Sequence, residues 1–263
     1  MAELPFALDP LDPKLVLAKP QHSIKEALAT RLEGEGNLII TRKRDGNRAH
    51  IVLLPNGIVR IYSRGIDDIT ERFPWIVEAL QRRVGCMRLP ALLDGELIAV
   101  TENDSDDFPT LTMVMKRSPL EAQNLQRSKG PVRFLLLDAP GWAGKSTSTL
   151  AAQERLALVS HVVTDIEGHD RPWPVLYVPP ILDHSLGAAR LLVREKKWEG
   201  FVLYHREARS GFRTDGKTAQ PPRPFGCWKW KPTFEDDFIV RRWTKGTGKN
   251  KNRMGKLYLS QIN

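Results

Sequence analysis

The sequence predicts an α+β fold of packed antiparallel sheets flanked by helices. Three observations predict it. β-rich runs are joined by tight turns, as at 48–54 and 58–62 around Pro55-Asn56-Gly57. Amphipathic stretches at helical spacing lie between the strand runs. Hydrophobic residues make up 41% of the 263, enough for a sizeable core.

The elements follow in chain order. Residues 1–20 are proline-rich and read as irregular. Ser23-Ile24-Lys25-Glu26 has the form of a capping box that opens a short helix to Leu32. Residues 37–41 read as a strand, and the 48–54/58–62 pair as the next hairpin. Lys43 thus sits where a strand gives way to a glycine-containing loop. Residues 73–84 form an amphipathic helix, 92–100 a strand with an acidic tip, and 132–137 a buried strand. Helices are expected at 150–163 and 185–197, and strands at 201–204 and 227–231. Residues 206–226 read as a long polar, basic loop with prolines at 221, 222 and 224. A linker at 233–237 leads to strands at 238–243 and 255–259 around a Gly/Lys loop. The expected division is one domain over 1–232 and the start of a second over 233–263.

The net charge of +9 and a pI near 9.7 suit a polyanionic partner such as DNA or RNA. Cys86 and Cys227 lie far apart and form no metal or redox motif, which fits a reducing compartment. The N-terminus lacks a basic region followed by an apolar stretch, and no apolar run approaches membrane-spanning length. A cytoplasmic or nucleoid-associated monomer is therefore expected, with no membrane partner. Gly141-Trp142-Ala143-Gly144-Lys145-Ser146-Thr147 imitates a phosphate loop. Two residues separate its glycines where that loop needs four, so it reads as the loop after the preceding strand.

The residues that carry chemistry come in an ordered series. Lys43-Arg44-Asp45-Gly46-Asn47-Arg48 fits Lys-x-Asp-Gly-x-Arg. It is followed by Leu93-Asp94-Gly95-Glu96-Leu97, then Glu199-Gly200-Phe201-Val202, then Lys229-Trp230-Lys231. A lysine nucleophile must be unprotonated, yet a free lysine with pKa near 10.4 is only about 0.1% neutral at pH 7.5. Neighbouring cations and burial favour the neutral amine, and Lys229 and Lys231 would supply cations if folded beside Lys43. Arg48 has the planar fork suited to phosphate or ribose oxygens. Asp45 either orients the lysine or simply makes an Asp-Gly turn. Period-two alternation puts Asp94 and Glu96 on one strand face, unfavourable unless a cation or polar ligand sits there. Lys229 and Lys231 likewise share a face, with Trp230 turned to the core.

This series resembles the covalent nucleotidyltransferases: ATP-dependent DNA ligases, RNA ligases and capping enzymes. The match is best with the ATP-dependent DNA ligases and runs from about residue 20 onward. It implies a nucleotidyltransferase (ATP-grasp-like ligase) domain followed by an OB-fold segment. An OB-fold needs about five strands, so the segment is expected to be incomplete. The resemblance implies ATP and Mg²⁺ or Mn²⁺ as cofactors and nicked duplex DNA as partner. Lys43 would become adenylylated, with Asp45, Lys229 and Lys231 assisting. Thr41, Arg42, Arg48, Glu96, Phe134, Leu137, Val202, Lys229 and Lys231 would contact the nucleotide. Glu96 and Glu199 would hold the metal. Ser63-Arg64-Gly65 resembles the segment that reads the 5′-phosphate at a nick, and Lys245, Lys249 and Lys251 would also meet DNA.

The pattern departs in places. The family usually has an aromatic just before Asp138, where this chain has Leu137, with Phe134 three residues earlier. A basic residue is common where Tyr204 stands, and an acidic one where Thr41 stands. RNA ligase or capping chemistry, and a non-catalytic DNA-binding remnant of the fold, remain the alternatives.

Overall fold

The computed structural model describes residues 20–21, 24–167, 176–177, 181–210, 225–233 and 237–261. The chain divides into two compact units, Met1–Lys231 and Pro232–Asn263.

The first unit holds two antiparallel sheets. The smaller has the order β1-β8-β9, from Leu38–Lys43, Gly200–His205 and Cys227–Trp230. The larger has the order β3-β2-β4-β5-β6, from Val59–Ser63, Asn47–Leu53, Ala91–Ile98, Arg133–Trp142 and Lys145–Ser146. A short parallel strand, β7 (Leu176–Tyr177), is added on β5.

Alternation gives each sheet a dry face. Ala49, Ile51, Ile61, Leu93, Leu97, Phe134 and Leu136 meet helices α2 (Pro74–Gln81), α3 (Phe108–Lys116), α4 (Pro119–Lys129) and α5 (Ala152–Glu167) in one core cluster. Ile40, Phe201, Leu203 and Trp228 meet α1 (Glu26–Gly34) and α6 (Leu186–Glu195) in the other. The opposite faces carry the polar residues of the motif series.

Several expectations need correction. Helix α1 begins at Glu26, and its N-cap, Lys25, makes no side-chain cap. Ser23 lies outside the described residues, and Glu26 is drawn instead into a two-pronged pair with Arg190 of α6, at 2.6 and 2.8 Å. Strand β5 runs on to Trp142 and turns back into β6 through Ala143 and Gly144, both at positive φ. The phosphate-loop mimic is therefore the tip of a β-hairpin. The proline-rich residues 1–19 and most of the 206–226 stretch lie outside the described residues.

Helices α3 and α4 were not assigned from sequence. Their signals are local: Asp107 accepts from the Thr110 amide at the start of α3, and Ser118 with Glu121 forms a capping box at α4.

The second unit is an antiparallel ribbon of β10 (Phe238–Lys245) and β11 (Met254–Gln261). Register shifts after Val240 and Thr244 twist it. Phe238, Val240, Trp243, Met254 and Leu259 are exposed.

Phe134 shows how tightly the larger sheet is packed. It is fully buried, and its ring lies over Gly95. A Cβ on Gly95 would meet the Leu135 carbonyl oxygen at 2.3 Å and the Phe134 ring at 2.5 and 2.7 Å. Gly95→Ala should cost about 1–3 kcal/mol of unfolding free energy, the usual scale of overpacking. Urea denaturation checks this, and an unchanged midpoint would mean that β4 and β5 part freely here.

Candidate active site

Lys43 is the last residue of β1, and β2 begins at Asn47 in the other sheet. Residues 44–46 therefore carry the chain from one sheet to the other. Gly46 makes the crossing feasible, because a Cβ there would meet the Leu97 carbonyl oxygen at 2.4 Å and the Glu96 side chain at 2.6 Å.

The polar faces of the two sheets interact across a cleft. The smaller sheet contributes Thr41 and Lys43, Val202 and Tyr204, and Lys229, with Thr41 paired to Val202 and Val202 to Lys229. The larger contributes Arg48 and His50, Asp94 and Glu96, and Asp138, with Arg48 paired to Glu96 and Asp94 to Asp138. Lys43 and Glu199 both act electrostatically on Glu96 across the gap, as Arg48 does on Tyr204 and Cys227.

At the centre, Glu199 joins two lysines. Its Oε2 lies 2.5 Å from Lys43 Nζ, and its Oε1 pairs with Lys231 Nζ. Lys43 Nζ also donates to the Arg44 carbonyl at 3.4 Å. The expectation that lysines from 229–231 meet Lys43 is thus met through a carboxylate for Lys231, not by bare cations. Lys229 lies on the same sheet face one strand beyond Val202.

The second pair is Arg48 with Asp94. Arg48 Nε donates to Asp94 Oδ1 at 2.6 Å, and a terminal nitrogen pairs with Oδ2. The shared face of Asp94 and Glu96 therefore has its cation, an arginine from the neighbouring strand. Burial opposes the charge on Arg48, but the Asp94 charge and hydrogen bonds outweigh it and hold the guanidinium protonated. Burial pushes Asp94 up to about 6 against the pull of Arg48, so the pair is ionised at neutral pH. Burial pushes Glu96 further, to about 7, with Arg48 and Lys43 opposing. Asp45 is raised by burial and by Glu199, and Asp138 by burial despite its bond to Arg155 at 3.1 Å. His50 stacks on Tyr62 with ring centroids 5.3 Å apart, and burial beside Arg48 lowers its pKa to about 4.

Two expected nucleotide contacts face elsewhere. Phe134 belongs to the core and presents no surface to the cleft. Leu137, at the irregularity between the Asp94/Asp138 and Gly95/Leu136 pairs, is part-exposed and outside both core clusters. Arg42 alternates with Lys43 and so points away. It is held by Asp104 at 3.0 Å and lies over the Trp198 ring at 4.3 Å. Thr41 and Val202 remain on the cleft face.

Of the residues expected to meet DNA, Arg64 is exposed in the turn after β3, and its amide donates to the Arg48 carbonyl at 3.1 Å. Lys245, Lys249 and Lys251 are exposed on the ribbon and its connecting loop in the second unit.

Sequence reading missed Arg44, Asp104, Asp106 and Arg155. Arg44 filled a wildcard of the motif. The acidic run 104–107 was a signal, since the basic run 42–44 needs compensation wherever it is buried.

A family model described as ATP dependent DNA ligase domain matches residues 15–176. This chain belongs to that family. The matched span includes Lys43, Arg48, Glu96 and Asp138. A probable DNA ligase of Anaeromyxobacter sp. (strain Fw109-5) is 33% identical over 161 residues, 60% of this chain and 28% of that protein. DNA ligase 1 of Methanosarcina acetivorans is 26% identical over 267 residues, 93% of this chain and 43% of that protein. The chain thus spans less than half the length of these curated relatives. The fold is shared with the ligase domain of M. tuberculosis LigD, at TM-score 0.63 and 20% identity over 94% of this chain and 68% of that one. It is shared also with the ATP-dependent DNA ligase of bacteriophage T7 in complex with ATP, at TM-score 0.58 and 18% identity over 93% and 80%. Among the described residues of this DNA-ligase-family chain, no helix is long and apolar enough to cross a membrane.

Among the described residues, no three His, Cys, Asp or Glu side chains cluster as a self-sufficient metal site. Glu96 and Glu199 nevertheless offer carboxylate oxygens of the kind that fits a divalent ion of the Mg²⁺ type, with Glu199 here paired to Lys43 and Lys231. Such an ion binds through one or two carboxylates and completes its shell with phosphate oxygens and water.

The raised Glu96 pKa makes stability depend on pH. Between an ordinary 4.5 and about 7, the folded chain keeps a proton that the unfolded chain has lost. Stability from this group is fully present below about pH 4.5 and is lost as pH rises through about 7. Glu96→Gln removes that loss. Its denaturation midpoint should fall less than the wild type's between about pH 5 and pH 8. Parallel pH profiles would mean that Glu96 titrates as an exposed carboxylate does.

Proposed function

We propose that this chain is the catalytic part of an ATP-dependent DNA ligase that seals nicks in duplex DNA through a lysine–AMP intermediate. One observation carries the reading: Lys43 ends a strand at the cleft, bound to Glu199, which also holds Lys231. The family match and the alternation of cations and carboxylates along the cleft support it. A monomer acting on DNA in the cytoplasm is part of the same reading.

Lys43 Nζ is held by Glu199 Oε2 at 2.5 Å and must be unprotonated to react. The neutral amine attacks the α-phosphorus of ATP. An N–P bond forms, the bond to the bridging oxygen breaks, and pyrophosphate leaves. Lys231 and Lys229 offer positive charge to the phosphates, and Arg48, set by Asp94, faces the ribose. Leu137 and Val202 offer apolar surface to the adenine. Glu96 and Glu199 would hold the divalent ion. When bound, that ion neutralises phosphate charge. AMP then passes from Lys43 to a 5′-phosphate oxygen, and the amine leaves. A 3′-hydroxyl finally attacks that 5′-phosphorus and releases AMP. Arg64 and the lysines of the ribbon bind the phosphate backbone.

Incubation with α-labelled ATP and Mg²⁺, read on a denaturing gel, should give an acid-labile adduct. Lys43→Ala should abolish it, and so should Lys43→Arg, since a guanidinium stays protonated. Label that persists in Lys43→Ala moves the nucleophile elsewhere. Label from GTP alone points to capping chemistry, and no label from either nucleotide to a non-catalytic fold. Glu199→Ala should reduce adduct formation by about a hundredfold or more at low Mg²⁺, the scale for a misplaced reacting group. Full activity in that variant would leave Glu199 a structural carboxylate.

Duplex binding should weaken with salt, and loss of one phosphate contact, as in Lys249→Ala, should shallow the log–log slope by about 0.9. Binding indifferent to salt would contradict a phosphate-dominated interface.

A further inference from the structure

The loop after β4 reaches across to the segment that carries Lys43. Asp106 Oδ2 accepts from the Asp45 amide at 3.1 Å, and Oδ1 accepts from Arg44 at 2.9 Å. Asp104 binds Arg44 with both carboxylate oxygens, at 2.5 and 2.6 Å, and Arg42 at 3.0 Å. Its carbonyl accepts from the same two arginines, at 2.8 and 3.2 Å. Both guanidinium-bearing side chains are only 4% exposed, and so is Asp106 at 11%. The cluster is buried on the side of the two arginines and Asp106 and opens to solvent at Asp104, which is 55% exposed.

The cluster grips Lys43 from both sides in sequence and also at the next peptide. It also touches the residue before Lys43's partner Glu199, since Arg42 lies over Trp198. The loop is itself rigid. Thr101 and Ser105 are bonded to each other through the Thr101 amide and hydroxyl, the Asp104 amide bonds the Thr101 carbonyl, and Val100 bridges to Asp106. Asp104 takes a left-handed φ of 57°, which aspartate tolerates better than most residues. A hydrogen-bonded loop thus meets residues 44–46, which pass between the sheets and lie in no strand.

Arg42, alternating with Lys43 on β1, points away from the cleft. Removing a buried partner frees a desolvated charge, which the chain relieves by moving backbone. Here the backbone that moves is the one that aims Nζ.

We propose that Asp106, together with Asp104, is a positioning residue for Lys43, clamping the peptide on either side of the nucleophile through Arg42, Arg44 and the Asp45 amide. The inference rests on the reading of Lys43 as nucleophile.

The test compares Asp106→Ala and Asp106→Asn with the wild type in the full chain. Single-turnover lysine–AMP formation is followed across ATP concentrations, at a temperature where circular dichroism shows every variant folded. Hydrogen exchange of the peptide covering residues 43–47 is measured alongside. Asp106→Ala should slow the step at saturating ATP by about ten- to a hundredfold, with half-saturation shifted less than about threefold. Exchange at the Asp45 amide should rise. Asp106→Asn keeps an oxygen for that amide and loses the charge on Arg44, so its rate should fall between the two. It also carries the test should Asp106→Ala not fold. A wild-type rate in the variants, or a loss confined to half-saturation, would overturn the proposal. Should the wild type form no adduct with ATP, the nucleophile reading fails and exchange alone decides the clamp. Unchanged protection at Asp45 would then overturn it, and faster exchange would sustain it as a restraint on the segment.

Discussion

Residues 44–46 must leave one sheet, cross a gap and enter another while Lys43 faces the cleft behind them. β1 lies beside β8, with an isolated bridge from Thr41 to Ile181, whereas β2 is flanked by β3 and β4. No ladder hydrogen bonds hold the crossing, so other groups must satisfy and fix it. A glycine permits the close approach to Leu97, and two aspartates bind the arginines and the Asp45 amide. Were the crossing to shift, the strands on both sides would keep their cores, but the polar faces would lose their alignment.

That alignment explains the electrostatics. Four cations are set against carboxylates: Arg48 against Asp94, Arg155 against Asp138, and Lys43 and Lys231 against Glu199. Burial nevertheless drives Asp45, Asp94, Glu96 and Asp138 toward their neutral forms. Paired charges cost least when their partners are close and the remaining polar atoms are satisfied. A polyphosphate arriving with a divalent ion offers new partners to both signs, which such a lining accommodates better than an apolar cleft would.

The departures from the family pattern fall on both sheets. Leu137 stands where an aromatic is usual, and Tyr204, buried beside Cys227 and Asp138, stands where a base is usual. Tyr204 carries no charge here, because burial raises its pKa. Near Lys43 the departure is Thr41, buried where an acidic residue is usual.

The sequence by itself made the long strands and the periodic helices α2, α5 and α6 legible, while α3 and α4 went unread despite their local caps. It also determined the order of the motif residues and which of them share a strand face. Asp94 with Glu96 and Thr41 with Lys43 follow from period two alone, because alternation is a local property of the chain. Only the tertiary structure decided which faces meet. That Glu199 sits between Lys43 and Lys231, that Arg48 takes Asp94, and that Phe134 lies under Gly95 depend on strand pairing between residues far apart in sequence. The same holds for Arg42 and Arg44. Their basic run is plain in the sequence, but its burial against Asp104 and Asp106 arises only when β4 is placed beside β2, because ion pairing is set by distance in space and not by spacing along the chain.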